Sequence, residues 1–485
     1  MRRVCILMHH VYMSRFRRGE LERGAGILAR VREELFSVHD GEVGVAVGIR
    51  ANQSVSQEIL RQEEDRVFRM PRISRRDVKA GMVLAEDVNN PRGQLLIAAG
   101  TALTEKHISA LQLWGVSFLH IEGPEGEEST DTAPLISEEA LVRAKEQAVA
   151  AYQHNKDRLA HPFLKSLVQQ SIIRFATEDP GEYGETLHGV HESGGAETGE
   201  THVRTAEAMV RRVGTLGSLP SIYQEIIQVV NHPLSSATDV ANVISKDVGL
   251  TARLLRIVNS AFYGFPGKIE TVSRATAIVG TNELCELALA TAVMSVFDRS
   301  LRDVVNMSQF WLHSLFCGSV ARMVGKLRGG ANSERFFVMG LLHDIGRLVM
   351  FSEAPRLSRE VFEEAARSGR PVYEVERAMF GFTHAAVGRE LLAAWNLPQT
   401  HQDAVRHHHV PLANRELTPD VAIAHVAEVI ANAMRMGRSG DWAVPPVTVE
   451  AWEYLNMSTD VLREVIEDAD THVHDLATIF GVEEL

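Results

Sequence analysis

Apolar residues recur every three to four positions from about residue 205 to the C-terminus, and this spacing predicts helices throughout. Ile222, Ile226, Ile227 and Val230 fall on one face after Pro220, a residue suited to a first turn. Asp247 can cap "VGLTARLLRIVN", in which Leu250, Leu254, Leu255 and Val258 repeat at helical spacing. No alternating pattern interrupts 205–485, so this region is expected to be an all-α domain with a helical tail. Within it, "GLLHDIGRL" (340–348) places Leu341, Ile345 and Leu348, with Val349 just after, on one buried helical stripe. His343 and Asp344 stand in the middle of that stripe. A buried carboxylate needs a partner, which this pattern does not supply.

Upstream the pattern changes. "GMVLAEDV" and "QLLIAAG" read as strands separated by the turn cluster "NNPRG". "TEKHISALQLWG" follows as a short helix with Thr104 as N-cap and Gly115 past its end, and "VSFLHIEG" as a closing strand. Residues 71–125 are thus expected to form a small β-rich module. Residues 126–204 are expected to hold a helical pair and a flexible linker. An acidic stretch over 124–136 leads in, Ser137 caps a helix to about Lys156, and Pro162 restarts one to about Phe175. The segment 178–202, rich in Gly and Glu and poor in large apolar groups, is the linker. Residues 1–70 form a poorly patterned, arginine-rich extension, and Met70 is read as an alternative start.

Composition narrows the classes. The chain has 485 residues, 45% hydrophobic and 23% charged, ordinary for a globular protein of several domains. A net charge of -13 disfavours a large phosphate-binding surface, so nucleic acid is not an expected partner. Cys5, Cys285 and Cys317 lie far apart without a CxxC pair, which fits a reducing, cytoplasmic setting. No run reaches the roughly 18 apolar residues of a membrane span.

The chemistry lies in the histidines. His-Asp pairs occur at 39–40, 343–344 and 474–475, and only the second has further histidines around it on apolar helices. "FWLHSLFCGSV" carries His313, "FGFTHAAVGRELLAAWNLP" carries His384, "AVRHHHVP" carries His407 to His409, and "AIAHVAEVIANAM" carries Glu428. Imidazoles and a carboxylate from separate helices are the donor set that borderline divalent metals prefer, and such a cation would supply the partner of Asp344. A single histidine on an apolar helix is more often a hydrogen-bonded core residue, which is the plain reading of His313 taken alone.

These segments carry a family resemblance. Residues from about 212 to 410, through "LPSIYQEIIQVVNHP", "VISKDVGLTARLLRIVNSAFYG", "IETVSRATAIVG", "FWLHS", "GLLHDIGRL", "HAAVGRELLAAWNLP" and "AVRHHHVP", resemble an HDOD domain, a relative of the HD metal-dependent phosphohydrolases. The tail "AWEYLNMSTDVLREVIEDA" is similar to the helical end of such proteins. Residues 78–121 resemble a β module found upstream of HD-type domains. The resemblance implies that His313 matches the first HD histidine and His343 with Asp344 the signature pair. His384, His408 and His409 match the extra histidines of the HD-GYP branch, which cleaves cyclic di-GMP. It implies a site of His313, His343, Asp344, His384 and His408 for one or two ions of iron, manganese or zinc. Asp344 and His384 are the catalytic candidates, and His409 and Glu428 are accessory. Glu428 replaces the final HD aspartate, and Gln309 stands where some relatives carry a glutamate. Val-Pro-Leu follows His409 in place of a GYP signature, so cyclic di-GMP cleavage by that route is not expected.

Two functions follow. The first is a bacterial signal-transduction protein whose HDOD output domain keeps a metal and acts through protein partners. The alternative is a metal-dependent phosphohydrolase acting on a phosphoester or nucleotide messenger. A third, DNA binding through the helix–Gly–helix spacing of 273–293, is disfavoured because its second helix offers Glu283 and Glu286 rather than base-reading side chains. Phe262, Tyr263 and Phe265 are expected to fold a helix end onto the core, with a partner-binding knob as the sharper alternative.

Overall fold

The computed structural model describes residues 72–482, with gaps chiefly at 90–94, 112–117, 122–136, 178–203 and 214–220. The expectations for 1–70, the "NNPRG" turn, Gly115, Pro220, both linkers and the His39-Asp40 pair lie outside the described residues.

Two short antiparallel pairs make the β-rich part. β1 (Arg72–Ser74) and β2 (Val88–Asn89) pair with β4 (Phe118–His120) and β3 (Leu95–Ile97) respectively, with Ile73 opposite Leu119 and Val88 opposite Ile97. Bridges Val83–Ala102 and Leu84–Ile121 join these pieces around a small core that includes Leu84, Ile97, Leu103 and Leu119. The Thr104 hydroxyl accepts from the His107 amide, which is the expected cap.

Ser137 caps α1 (Glu138–Ala151), its hydroxyl accepting from the Ala140 amide. The helix stops short of the expected Lys156 and tightens into a 3-10 turn over Gln153–Arg158. The cause is tertiary. Asn155 is buried, and its amide nitrogen donates to the Val444 and Pro445 carbonyls. α2 (Pro162–Thr177) starts at its proline as expected. α3 (Ala206–Arg212) and α4 (Ser221–Val230) follow, then α5 (Ala237–Ile244) behind a Ser236/Asp239 capping box. Asp247 caps α6 (Val248–Val258) through the Leu250 amide, with Leu250, Leu254 and Val258 buried.

α7 (Val272–Val279) and α8 (Thr281–Phe297) meet at Gly280, whose φ of 110° turns the chain by 118°. Glu286 of the second helix pairs with His401 at 3.2 Å.

α9 (Met307–Leu327) is buried on all sides over most of its length. Around the site stand α10 (Glu334–Leu342), α11 (Ile345–Glu353), α12 (Pro355–Ser368), α13 (Val372–Met379) and α14 (His384–Ala394). α15 (Gln399–His407), α16 (Pro419–Met434), α17 (Val449–Leu455) and α18 (Val461–Phe480) complete the chain. The central α9 packs against α10, α16 and α18. The fold is mostly α, as the spacing predicts.

Two differences from expectation have physical causes. The helical pair α1–α2 is not walled off from 205–485. Phe163 stacks on Trp452 with ring centroids 4.4 Å apart, and both belong to one core running from Ala144 to Ala477. The stripe through 340–348 is likewise two helices, α10 ending at Leu342 and α11 starting at Ile345. All four stripe residues are still buried, because each helix shows its own apolar side to the core.

The aromatic helix end folds inward. Phe262 is buried under the Arg322 guanidinium, 4.0 Å from its ring centroid, and Arg322 pairs with Glu334 at 3.2 Å. Among the described residues no single helix is long and apolar enough to cross a membrane.

Candidate metal centre

Five elements deliver the site. His313 comes from the middle of α9, His343 and Asp344 from the α10–α11 junction, and His384 from the first position of α14, where Thr383 caps through the Ala386 amide. His408 and His409 follow the end of α15, and Glu428 lies on α16. Asp344 occupies the N-cap of α11, yet its side chain caps no amide. The break between the helices turns its carboxylate toward the imidazoles instead.

Close packing of backbone holds this arrangement. A Cβ on Gly346 would fall 2.5 Å from the Gly388 amide nitrogen and nearer still to the His384 carbonyl oxygen. α11 and α14 therefore cross at main-chain contact, which seats His384 beside Asp344.

The ligand atoms form three overlapping groups, each with all its atoms within 4.8 Å of one another: His313, His343, Asp344 and Glu428; Asp344, His384, His408 and His409; and His409, Glu428 and Asp441. Asp344 is shared by the first two. The Glu428 carboxylate lies 3.1 Å from His313 Nε2 and 2.9 Å from His343 Nε2. His384 Nε2 is 3.0 Å from Asp344 Oδ1, and His408 Nε2 is 3.7 Å from the same oxygen. Every site residue expected from sequence thus falls in these groups. Glu428, expected as accessory, contacts two histidines at once, because its extra methylene carries the carboxylate from α16 to the centre.

The protons can be placed from acceptors that cannot donate. His343 Nδ1 donates to the Gly340 carbonyl at 2.6 Å, and His408 Nδ1 to the Val405 carbonyl at 2.7 Å. Nε2 is then the atom each ring turns to the site, His343 toward the Glu428 carboxylate at 2.9 Å and His408 toward His384 Nε2 at 3.4 Å. Two lone pairs at 2.9 Å would repel, so a proton or a cation lies between His343 and Glu428. His343 Nε2 and both Asp344 oxygens are buried with ionic neighbours at 2.9–3.3 Å but no well-directed hydrogen bond. The donor set and its burial fit a divalent metal.

The electrostatics alternate. Burial opposes charge on His343, but Cys317, Asp344 and Glu428 hold its pKa well above the usual value. Against the same cost, Arg347, His343 and His384 hold Asp344 well below the carboxylate range, and His343 and His313 do so for Glu428. Burial also works against His384, yet the Glu376 carboxylate at 2.7 Å from Nδ1 raises it to about 9. Burial, then the His343 and His384 charges, push His408 down to about 3. Burial, with His408 and His384, lowers His409 well below its ordinary value.

Three neighbours escaped the sequence reading. Arg347, inside "GLLHDIGRL" itself, reaches Asp344 Oδ1 with Nε at 3.2 Å and ion-pairs with Asp441. It is a direct answer to the buried-carboxylate problem, and its i,i+3 spacing from Asp344 was the available signal. Glu376 binds His384 from behind, its polar position flanked by the buried Val372 and Val375. This is the carboxylate–imidazole support found behind metal ligands. Asp441 lies on a loop that no periodicity marks. Tyr373 fixes the His409 ring by stacking at 4.7 Å. His425 is structural: its Nδ1 donates to the His408 carbonyl at 2.6 Å, and its Nε2 accepts from the Thr448 amide at 2.9 Å. His474 is exposed and stands outside the three ligand groups.

A curated, uncharacterized protein of Treponema pallidum is 28% identical over 228 residues, 47% of this chain and 44% of that protein, so the chain spans less than half of that relative's length. An HDOD domain protein of unknown function from Geobacter sulfurreducens aligns over 58% of this chain and 99% of its own, with 22% identity and a TM-score of 0.47. A candidate phosphohydrolase from Shewanella amazonensis aligns over 58% of this chain and 100% of its own, with 20% identity and a TM-score of 0.46. The HDOD domain family matches residues 216–411, the segment that supplies His313, His343, Asp344, His384, His408 and His409. Residues 216–411 of this chain are an HDOD domain.

Proposed function

We propose that this chain is a signal-transduction protein whose HDOD domain holds a divalent transition metal, and that the loaded site sets a helical state read by protein partners. Iron, manganese and zinc all suit an imidazole and carboxylate set. One observation carries the reading: five buried histidines and two buried carboxylates, drawn from separate helices, gather their ligand atoms into groups no wider than 4.8 Å. His313, His343, Asp344 and Glu428 would hold one ion, and Asp344, His384, His408 and His409 a second. Glu376 keeps His384 in its ligating orientation, and Arg347 balances part of the carboxylate charge.

The sharing of Asp344 favours a second reading, a phosphohydrolase, because one carboxylate between two ions is how paired-metal sites are built. When bound, such ions lower the pKa of a coordinated water and clamp the oxygens of a phosphoester. Burial favours the signalling reading. His343, Asp344, His384, His408 and Glu428 are 0% exposed, which leaves a phosphoester no direct approach to the ligands.

Elemental analysis of the purified protein, alongside His343→Ala and Asp344→Ala, tests the metal. Stoichiometric metal in the wild type and its loss in both variants is the expected outcome, and equal content in all three would remove the reading. Release of product from generic phosphodiesters or cyclic dinucleotides by the loaded wild type, but not Asp344→Ala, would move the assignment to the hydrolase.

A further inference from the structure

Residues 435–448, between α16 and α17, cross the ligand groups as a strap and lie beyond the segment matched to the family. Three attachments fix the strap. Gly437 adopts a φ of 65° and presses its backbone onto α9 beside His313, where any Cβ would collide with the Gln309 carbonyl oxygen and the His313 amide nitrogen. The Arg438 amide donates to that same carbonyl at 2.9 Å. Next, the Arg347 guanidinium donates to the Ser439 carbonyl at 3.2 Å and ion-pairs with Asp441. Finally, Asn155 of the 3-10 turn takes both faces of the strap. Its Nδ2 donates to the Pro445 carbonyl at 3.0 Å, and its Oδ1 accepts from the Val447 amide at 2.8 Å.

Asp441 does more than neutralise Arg347. Its carboxylate stands within 4.8 Å of ligand atoms of both His409 and Glu428. Its side chain is 6% exposed, and the Nδ1 of the neighbouring His409 is buried without a hydrogen bond. From this placement we infer that Asp441 is a metal ligand contributed by the strap, closing a third ligand group with His409 and Glu428, and that Asn155 ties this ligand to the α1–α2 pair. The inference rests on the metal reading above and extends it in two ways. It adds, after Glu428, a second carboxylate from beyond the HDOD segment, and it gives the helical pair a mechanical line to the site. A shift of α1–α2 would draw on the strap through Asn155 and alter the ligand set.

The test is a zinc titration of the full chain against a competing chelator, with hydrogen exchange of the strap amides followed with and without zinc. Asp441→Asn is expected to weaken zinc binding at least tenfold, and Asn155→Ala to weaken it several-fold from a distance. Asp441→Glu, which keeps a carboxylate on a longer arm, is expected to bind zinc more tightly than Asp441→Asn. Zinc should slow exchange across 438–447 in the wild type and not in Asp441→Asn. If the wild type binds zinc but Asp441→Asn binds it equally well, or the strap exchanges alike with and without zinc, the inference is overturned while the metal reading stands. A wild type that takes up no zinc, iron or manganese would overturn both. Should Asp441→Asn fail to fold, Asn155→Ala and the wild-type exchange data decide the matter alone.

Discussion

Replacing Gly346 by alanine tests whether the site depends on main-chain contact between α11 and α14. The added Cβ would stand 2.5 Å from the Gly388 nitrogen, against about 3.4 Å for ordinary contact, so the helices must part by about 1 Å. Both opposing atoms are backbone, and no side chain can swing away to absorb the clash. Overpacking of this kind costs about 1–3 kcal/mol, and a rigid opponent places Gly346→Ala near 3. For a domain of this size each kcal/mol lowers the melting temperature by roughly 2–4 °C, so a fall of about 6–12 °C is expected for chelated protein. The same shift carries His384 Nε2 away from its 3.0 Å approach to Asp344 Oδ1. Metal–ligand distances tolerate only about 0.2 Å, so bound metal should drop along with stability. Gly267→Ala is the control, since nothing lies within 4 Å of its Cβ position. Thermal melts and elemental analysis of both variants give the readout. A Gly346→Ala protein that melts and binds metal like Gly267→Ala would refute the argument that backbone contact sets the site.

Other expectations follow from the same geometry. Glu376→Gln keeps the shape behind His384 but removes its charge, and should weaken metal binding about 10–100-fold in chelator competition, whereas unchanged affinity would show that His384 orients without it. Arg322→Met strands the buried Glu334 and should cost about 3–5 kcal/mol by thermal denaturation, most of it recovered in the double variant with Glu334→Gln; a single variant as stable as wild type would refute the pairing. His425 is lowered to about 4, first by burial, so its neutral form stabilises the fold. That contribution is complete above the unfolded value of about 6.5 and is lost as pH falls from there toward 4, by about 1.4 kcal/mol per unit. The stability of chelated His425→Gln should accordingly fall less steeply between pH 6.5 and 5 than that of wild type, and parallel slopes would sink the assignment.

Much of this was legible because it follows from local rules. Ser137 and Asp247 cap where a short polar side chain precedes an apolar repeat, and the unbroken helical spacing after 205 yields helices. The histidines stood out because imidazoles on otherwise apolar helices need a reason to be buried. The break at 343–344 was hidden, since Leu341, Ile345, Leu348 and Val349 stay in phase across it and two helices can share one apolar stripe. Asn155 ended α1 early through bonds to residues nearly three hundred positions away, which no local window contains. Asp441 was invisible for the same reason. Its position is set by the left-handed backbone at Gly437 and Gly440 and by Arg347, not by any repeat around it. Glu428 was legible as a residue but not as a contact, because an extra methylene weakens a ligand only if its helix fails to compensate.

Glu428 and Asp441 both come after residue 411, where the inherited HDOD cassette ends. The edge that descent draws and the edge that cooperative folding draws are therefore different places in this chain. An expression clone trimmed to the cassette would strip α16 from the flank of α9, baring an apolar wall that invites self-association. It would also leave His313 and His343 looking into solvent where an anion should be, so such a fragment would report on a crippled protein.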